Sequence, residues 1–221
     1  MTTSNVPVVG LIGGIGSGKS ALARWVAGRL NVRILDADSA GHRALGDDGV
    51  RQRLCEQLGD EILDESGAVS RPRLAAIVFG TSPEHRQRRE VLEQIVHPVI
   101  GDDLRAQLRE AAADPGVELI LLDAALLLEA GWDGMCDAVV FVDTPRTIRL
   151  QRVQGNRNWS EDELQRREAN QQSVTEKRAA ADAVVDNSRS LEVAGGQFLE
   201  WFERQYRATD GGRKQAGLAP A

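Results

Sequence analysis

The stretch GLIGGIGSGKSA, residues 10–21, combines closely spaced glycines with one lysine and one serine. Its spacing from Gly13 to Ser20 fits the phosphate-binding pattern GxxxxGK[ST]. Glycines let successive backbone N–H groups turn toward an anion, and the N-terminus of a following helix adds free donors and a favourable dipole. The pattern predicts a loop that binds the phosphates of a nucleotide, here ATP. The residues expected to contact it are Gly13, Gly14, Ile15, Gly16, Ser17, Gly18, Lys19, Ser20 and Ala21.

Three side chains are assigned further roles in this site. Lys19 is expected to reach the β- and γ-phosphates and to act in catalysis, and the Ser20 hydroxyl is expected to bind Mg²⁺. Asp123 ends the apolar run LILLD, where a carboxylate would be a second Mg²⁺ ligand. For the loop, the alternative is a glycine-rich turn with a chance lysine. For Asp123, the alternative is an acid at the end of a strand that belongs only to a turn.

The segment DAD, Asp36 to Asp38, follows the second predicted strand. Acids two residues apart on an extended chain point to one face, and ligands of doubly wound sheets gather at the carboxyl ends of the strands. Both acids are therefore expected near the γ-phosphate. A carboxylate there can accept a proton from an attacking hydroxyl. For either acid, the alternative is a helix N-cap or an acid that belongs only to a loop.

Arginine is concentrated in residues 147–181, which include Arg152 and Arg157. A mobile lid that carries arginines suits a small-molecule kinase, because it neutralises charge on the transferred group and excludes water. Both arginines are therefore expected to be catalytic. The alternative is a solvated pair of charged helices. No NKxD segment for reading guanine is present, which argues against a GTPase switch.

Strands that alternate with helices predict a three-layer α/β fold with a parallel sheet of five strands. The first 36 residues read as strand, glycine loop, helix and strand, which is a βαβ unit. No strand is predicted in residues 39–114, which show helical spacing of apolar residues. The predicted strands are 6–12, 32–36, 118–123, 138–143 and 183–186, and the main predicted helices are 19–30 and 191–206.

Composition limits the classes of protein that the chain can belong to. With 221 residues and a net charge of −6, a broad nucleic-acid surface is not expected. The two cysteines, Cys55 and Cys136, lack metal or disulfide spacing. Without a signal peptide or a long apolar run, the chain is expected to be cytoplasmic and not to bind a membrane. It is expected to be a monomer or a weak homo-oligomer.

The sequence resembles the dephospho-CoA kinase family from Val9 to about Leu191. Five segments carry the resemblance in order: GLIGGIGSGKS, DAD, VSRPRLAAIVF (69–79), LEQIVHPVI (92–100) and EKRAAADAVVDNS (176–188). The resemblance implies a P-loop kinase core with a helical acceptor domain and a helical lid. It also implies that the 3′-hydroxyl of dephospho-CoA attacks the γ-phosphate of ATP, with Asp38 as the base, in the last step of coenzyme A synthesis.

The resemblance also implies a set of residues that bind the acceptor. For His97, which belongs to this set, a purely structural role is the alternative. The set is Asp36, Arg71, His97, Pro98, Leu126 and Glu129. The chain departs from the family pattern at Ile12, Ala125 and Leu128, where threonine, proline and phenylalanine are usual, and by an apparent one-residue insertion before Arg157. The insertion leaves open whether Arg152 or Arg157 faces the phosphates.

Six parts of the chain follow from these patterns. They are core residues 1–38, a helical acceptor domain 39–114, core residues 115–146, a lid 147–181, the last strand and helix 182–207, and a disordered tail 208–221. Two other functions remain open. One is a kinase of the same class that acts on another alcohol or a nucleoside, and the other is a nucleotide-binding module without catalysis.

Overall fold

The computed structural model describes residues 6–80 and 82–207 of the 221-residue chain. The predicted tail, 208–221, lies outside these residues. Within the described ranges, no helix has the length and apolar character that crossing a membrane requires.

A five-stranded sheet forms the centre of the molecule, and all its strand pairs are parallel. The strand order is β2-β3-β1-β4-β5. The predicted parallel sheet of five strands is therefore confirmed. The strands are β1 (Val8–Ile12), β2 (Val32–Asp36), β3 (Leu119–Asp123), β4 (Ala138–Asp143) and β5 (Ala183–Asp186).

Helices cover both faces of this sheet. On one face, Val9 and Leu11 of β1 pack with Leu22 of the first helix and Phe198 of the last. Alternate residues of a strand point to opposite faces, so Ile12 contributes to the core under the remaining helices. The predicted three-layer α/β architecture is confirmed. The α-helices of the described residues are α1 (Lys19–Ala27), α2 (Ala37–Leu45), α3 (Asp48–Leu58), α4 (Arg71–Val78), α5 (Pro83–Ala113), α6 (Arg146–Arg157), α7 (Glu161–Glu168), α8 (Val174–Ala179) and α9 (Leu191–Phe202).

The register of the sheet brings the chemically active segments to one edge. Asp36 pairs with Asp123 at the ends of β2 and β3, and Asp123 pairs with Leu11 at the end of β1. The glycine loop follows β1 directly and leads into α1. Because parallel strands end at the same edge, the loop and both acids lie at the position where doubly wound folds bind their ligands.

The segment between β2 and β3 contains α2 to α5 and no strand among its described residues, as predicted. An isolated antiparallel bridge joins Leu63 to Val69 in its central loop. The 31-residue helix α5 runs through the segment and contains Pro98 in its interior. Buried Ile95, Val96 and Ile100 hold this helix in the core.

The first elements are shorter than the sequence pattern predicts. Strand β1 begins at Val8 instead of residue 6, and α1 ends at Ala27 instead of residue 30. Gly28 caps α1, and the N–H groups of Arg29 and Leu30 donate to the carbonyl of Val26 as the turn closes. The apolar Leu30 packs against the core from this turn, so its hydrophobic spacing resembles a longer helix.

Candidate active site

The carbonyl of Ser17 is fixed on the outer side of the glycine loop. It accepts hydrogen bonds from Thr144 Oγ1 at 2.9 Å, from Asn187 Nδ2 at 2.7 Å and from Arg152 at 3.0 Å. These donors come from segments after β4 and β5 and from α6. Holding a carbonyl outward leaves the N–H groups of the loop available for the opposite, concave side, where a phosphate would bind.

Glycine is required at two positions of this loop. Gly18 has φ of 93°, and a Cβ there would lie 2.5 Å from Asn187 Nδ2. At Gly13 a Cβ would lie 2.7 Å from the carbonyl oxygen of Val142. Gly18 precedes α1 and provides no side-chain cap, so the first N–H groups of that helix remain free for an anion.

Lys19 lies in the middle of a cluster of charged groups. Burial lowers the pKa of its ammonium group, and the carboxylates of Asp123 and Asp38 oppose that shift. The positive charges of Lys177 and Arg157 lower the pKa further. The structure therefore brings together Lys19, Asp38 and Arg157, which were predicted for catalysis, and Asp123, which was predicted for the metal. It adds Lys177, which the sequence analysis missed.

Ser20 and Asp123, the two predicted Mg²⁺ ligands, are in contact. Burial raises the pKa of Asp123, while a hydrogen bond from the Ser20 side chain and the charge of Lys19 lower it. The structure contains no cluster of three or more metal-binding side chains within its described ranges. A hydroxyl beside one carboxylate fits Mg²⁺, which commonly uses one or two protein oxygens and takes its other ligands from water and phosphates.

Asp36 and Asp38 do not share one face of an extended chain, contrary to the sequence expectation. Strand β2 ends at Asp36, and its carboxylate folds back as the N-cap of α2. Its Oδ1 accepts from the N–H of Asp38 at 2.9 Å and from that of Ser39 at 3.2 Å. The alternative of a helix cap is therefore the observed role of Asp36.

Asp38 lies in the first turn of α2 and is exposed. Across the ranges that the structure describes, its carboxylate has no hydrogen-bond or ion-pair partner. The charge of Asp38 nevertheless acts on both Lys19 and Asp123. Capping by Asp36 thus fixes the backbone of Asp38 and leaves its side chain free beside the lysine and the predicted metal ligand.

The two lid arginines have different surroundings. Arg152 is half-buried behind the glycine loop, where it donates to the carbonyls of Ser17 at 3.0 Å and Asn187 at 3.1 Å. Arg157 is exposed at the end of α6, acts on Lys19 and lies 4.9 Å from the ring centre of Trp159. Arg152 therefore braces the loop, and Arg157 is the arginine placed on the side of Lys19.

A third arginine, Arg149, links the loop to the lid. The sequence pattern did not distinguish it from the other arginines of residues 147–181. It is buried and donates to the carbonyls of Ile15 and Thr144 at 3.2 Å each. It also forms an ion pair with Glu168 at the end of α7. The loop and α7 are therefore connected through one guanidinium.

Glu129 and Lys177 form a buried ion pair on the acceptor side. Glu129 Oε1 accepts from Lys177 Nζ at 2.9 Å and from the N–H of Gln172 at 2.9 Å. Lys177 also donates to the carbonyl of Ala125 at 3.0 Å and to Gln171 at 3.1 Å. Oε2 of Glu129 is buried without a hydrogen-bond partner among the described residues. The pair joins the base of the lid to the loop after β3.

His97 lies beside this pair. Its ring packs edge-on against Trp132 with ring centres 5.4 Å apart. Burial lowers its pKa, and the charge of Glu129 raises it in part. Leu126 lies in the same loop as Glu129, and Pro98 is exposed on α5. The structure thus brings His97, Leu126 and Glu129 into one region.

Arg71 is exposed at the first turn of α4. No hydrogen bond or ion pair of the described residues joins it to His97 or Glu129. Its place in the predicted acceptor set therefore stays a prediction.

Comparison with known proteins assigns the chain to a family. A model of the dephospho-CoA kinase family matches residues 7–192. The chain belongs to the dephospho-CoA kinase family. It is 34% identical to the dephospho-CoA kinase of Carboxydothermus hydrogenoformans over 206 residues, which cover 90% of this chain and 94% of that relative. It is 36% identical to that of Corynebacterium diphtheriae over 199 residues, which cover 89% and 96%.

A solved structure shares the fold of this chain. TT1252 from Thermus thermophilus aligns with a TM-score of 0.75 and 28% identity, covering 90% of this chain and 97% of that one. The resemblance inferred from the five sequence segments is therefore confirmed, and the chain is a kinase with a nucleotide-binding loop. All site residues described above fall within the matched range.

The departures from the dephospho-CoA kinase pattern fall in two places. Ile12 is buried in the core of β1, so its side chain replaces a hydroxyl by an apolar contact. Ala125 and Leu128 lie in the loop after β3, and the carbonyl of Ala125 accepts a hydrogen bond from Lys177. A backbone acceptor is kept by any residue, so the loss of proline at 125 is compatible with this contact.

Proposed function

We propose that this enzyme transfers the γ-phosphate of ATP to the ribose 3′-hydroxyl of dephospho-CoA, forming coenzyme A and ADP. The observation that carries the proposal is the unpaired carboxylate of Asp38 beside Lys19 and the contacting pair of Ser20 and Asp123. A base, a phosphate ligand and two metal ligands are the groups that phosphoryl transfer to an alcohol requires. The acceptor follows from the family.

The proposed nucleotide site consists of the loop from Gly13 to Ala21. Its N–H groups and the first turn of α1 would bind the β- and γ-phosphates, and Lys19 would add a positive charge close to them. Ser20 and Asp123 would hold Mg²⁺, which when bound neutralises charge between the phosphates. The partial burial of this site strengthens each of these interactions, since water screens them less.

Asp38 is the proposed general base. Its carboxylate has no hydrogen-bond or ion-pair partner among the described residues, so it is available to take the proton of the attacking hydroxyl. Arg157 would stabilise negative charge on the transferred group from the lid side. Arg152 supports the reaction in a different way, because its bonds to Ser17 and Asn187 hold the loop in its binding geometry.

The acceptor is proposed to bind between the lid and the segment 39–114. Oε2 of Glu129 is buried and without a partner in the described ranges, so a hydroxyl of the substrate that reached it as the lid rearranged would satisfy it. His97 and Leu126 would line the same wall, and Arg71 and Pro98 remain proposed contacts from α4 and α5. Asp36 contributes by capping α2 and so placing Asp38.

The test is an ADP-release assay with dephospho-CoA, its 3′-deoxy analogue, adenosine and shikimate. We expect fast turnover only with dephospho-CoA and a product heavier by one phosphate in mass spectrometry. Lys19→Ala serves as the inactive control, because the side chain supports none of the core clusters. Faster turnover of another alcohol would replace the proposed acceptor. ADP release at the same rate with and without every acceptor would show ATP hydrolysis and would contradict transfer to an alcohol.

A further inference from the structure

A cavity of about 620 Å³ lies away from the glycine loop, between α7 of the lid and the junction of α4 with α5. One wall comes from residues 79–89 and the other from residues 162–170. The lining residues are Phe79, Gly80, Ser82, Arg86, Arg89, Asp162, Glu163, Gln165, Arg166, Arg167, Ala169 and Asn170. Both walls carry arginines, four in all, against the two acids Asp162 and Glu163, so the side chains that line the cavity have a net positive charge.

The arginines of this cavity are only partly neutralised. Arg86 is exposed and has no ion-pair partner within the described ranges. Arg166 and Arg167 share the single carboxylate of Glu163, at 2.7 and 2.6 Å, along their own helix. Exposed pairs of this kind contribute little energy, so the guanidiniums can be redirected to a ligand at small cost. Arg89 pairs across the cavity with Asn170.

The cavity is connected to the catalytic region by aromatic contacts. The guanidinium of Arg167 lies 4.2 Å from the ring centre of Trp159 and 5.8 Å from that of Phe79. Arg157, which acts on Lys19, lies 4.9 Å from the same ring of Trp159. A surface of alternating guanidiniums and rings therefore extends from the side of Lys19 to the cavity.

We infer that this cavity binds the diphosphate of the acceptor, with Arg86 and Arg166 contributing from opposite walls. The inference rests on the proposed function, because dephospho-CoA carries a diphosphate joined to the ribose that reacts and, beyond it, a long arm that begins with a dimethyl-substituted carbon. Guanidinium forks match phosphate oxygens in geometry and charge. The ring of Phe79, which is 48% exposed, offers a surface for the arm.

This assignment gives the cavity a role in specificity. Alcohols that lack a diphosphate would reach Asp38 and Glu129 but would not engage the arginines of the two walls. A ligand held from both walls would also connect α7 to α5, which are joined across the cavity by the contact of Arg89 with Asn170. The enzyme would thereby favour dephospho-CoA over adenosine through contacts with the diphosphate and not through the reacting hydroxyl itself.

The test compares the double variant Arg86→Gln, Arg166→Gln with wild type and with Arg109→Gln. Arg109 is exposed on the same helix α5, about 35 Å beyond Arg86, and serves as a control for the loss of one charge. We expect the KM for dephospho-CoA to rise about tenfold for each lost contact, with kcat and the KM for ATP unchanged. Titration calorimetry should show unchanged affinity for adenosine.

The outcomes separate this inference from the proposed function. An unchanged KM for dephospho-CoA in the double variant, with normal turnover, would overturn the diphosphate site and leave the reaction intact. An equal loss of affinity for adenosine, or the same rise in Arg109→Gln, would also overturn it. A wild-type enzyme that does not phosphorylate dephospho-CoA would contradict the function itself. Thermal unfolding checks that the exposed substitutions keep the fold.

Discussion

The proposed nucleotide side and the proposed acceptor side of this molecule are built in different ways. The nucleotide side uses nine consecutive residues, 13–21, on one strand–loop–helix unit. The acceptor side combines His97 of α5, Glu129 of the loop after β3 and Lys177 of the lid. A site from one segment can be read from its spacing, whereas a site from three segments depends on how the chain packs.

The two sides also differ in how firmly they are held. The loop carbonyl of Ser17 accepts three hydrogen bonds from other segments. The lid is attached to its neighbours partly by exposed ion pairs, such as that of Arg146 with Glu161, which contribute little stability. This difference suits an enzyme that binds the nucleotide on a preformed loop and rearranges its lid around the acceptor.

The largest effect is expected for Asp38→Asn, which removes the proposed general base between the nucleotide and the acceptor. Asparagine keeps the size of the side chain but cannot take a proton, so turnover should fall by about 10²–10⁴-fold. ATP affinity should change far less, because Lys19 and the loop are untouched. Turnover and the ATP dissociation constant are the measurements. Residual turnover above about one tenth of wild type would exclude Asp38 as the base.

A second prediction distinguishes the proposed roles of two arginines, Arg157 as a contact of the phosphates and Arg152 as a support of the glycine loop. Arg157→Gln should lower kcat by about 10–100-fold with little change in stability, since the side chain is exposed and faces Lys19. Arg152→Gln should instead weaken ATP binding and lower Tm, because it removes donors from the carbonyls of Ser17 and Asn187. Steady-state kinetics and thermal unfolding distinguish the two. The reverse pattern would exchange the assigned roles.

A third prediction concerns the stability cost of the metal site. Burial raises the pKa of Asp123, so the folded state holds its proton more tightly than the unfolded chain does. As pH rises above the unfolded value of about 3.9, the unfolded chain releases the proton first, and the free energy of unfolding falls. Asparagine does not ionise, so Asp123→Asn avoids this fall in the free energy of unfolding. Its stability relative to wild type should therefore increase from about pH 4 to pH 7.

Urea unfolding of both proteins at these two pH values, without nucleotide or metal, is the measurement. The gain should be accompanied by lost turnover, since the metal ligand is removed. Asn can still accept a hydrogen bond from Ser20, so the fold keeps that contact. A stability difference that does not vary with pH would show that burial of the carboxylate is not its cause.

Patterns along the chain predicted the sheet and the glycine loop, but they did not predict every contact between side chains that are distant in sequence. Strands β2, β4 and β5 have the predicted bounds, because each is a short, mostly apolar run that ends on an acid. The pairing of Lys177 with Glu129 joins residues far apart in sequence, and spacing carries no information about it. The scarcity of lysine was the available signal, since Lys19, Lys177 and Lys214 are the only three in the chain.

The lid shows a second limit of sequence reasoning. The density of arginines indicated a functional segment, but the face of each arginine depends on where α6 begins and ends. Arg152 lies five residues before Arg157 on that helix, and the two point to different partners. Helix boundaries are set by capping and by packing against the loop, which the arginine pattern does not contain.

The smallest effect on turnover is expected for Asp36→Ala, because buried Ala37, Ala40 and Ala44 still hold α2, and with it Asp38, in place. The variant tests whether this acid is a cap or an acceptor ligand. Its carboxylate accepts from two N–H groups at the start of α2, so removing it should cost about 0.5–2 kcal/mol of stability. Asp36→Asn keeps a capping oxygen and should stay close to wild type in Tm. In both variants the KM for dephospho-CoA should be nearly unchanged, because the cap is already engaged with the backbone. A rise in that KM with an unchanged Tm would instead assign Asp36 to the acceptor.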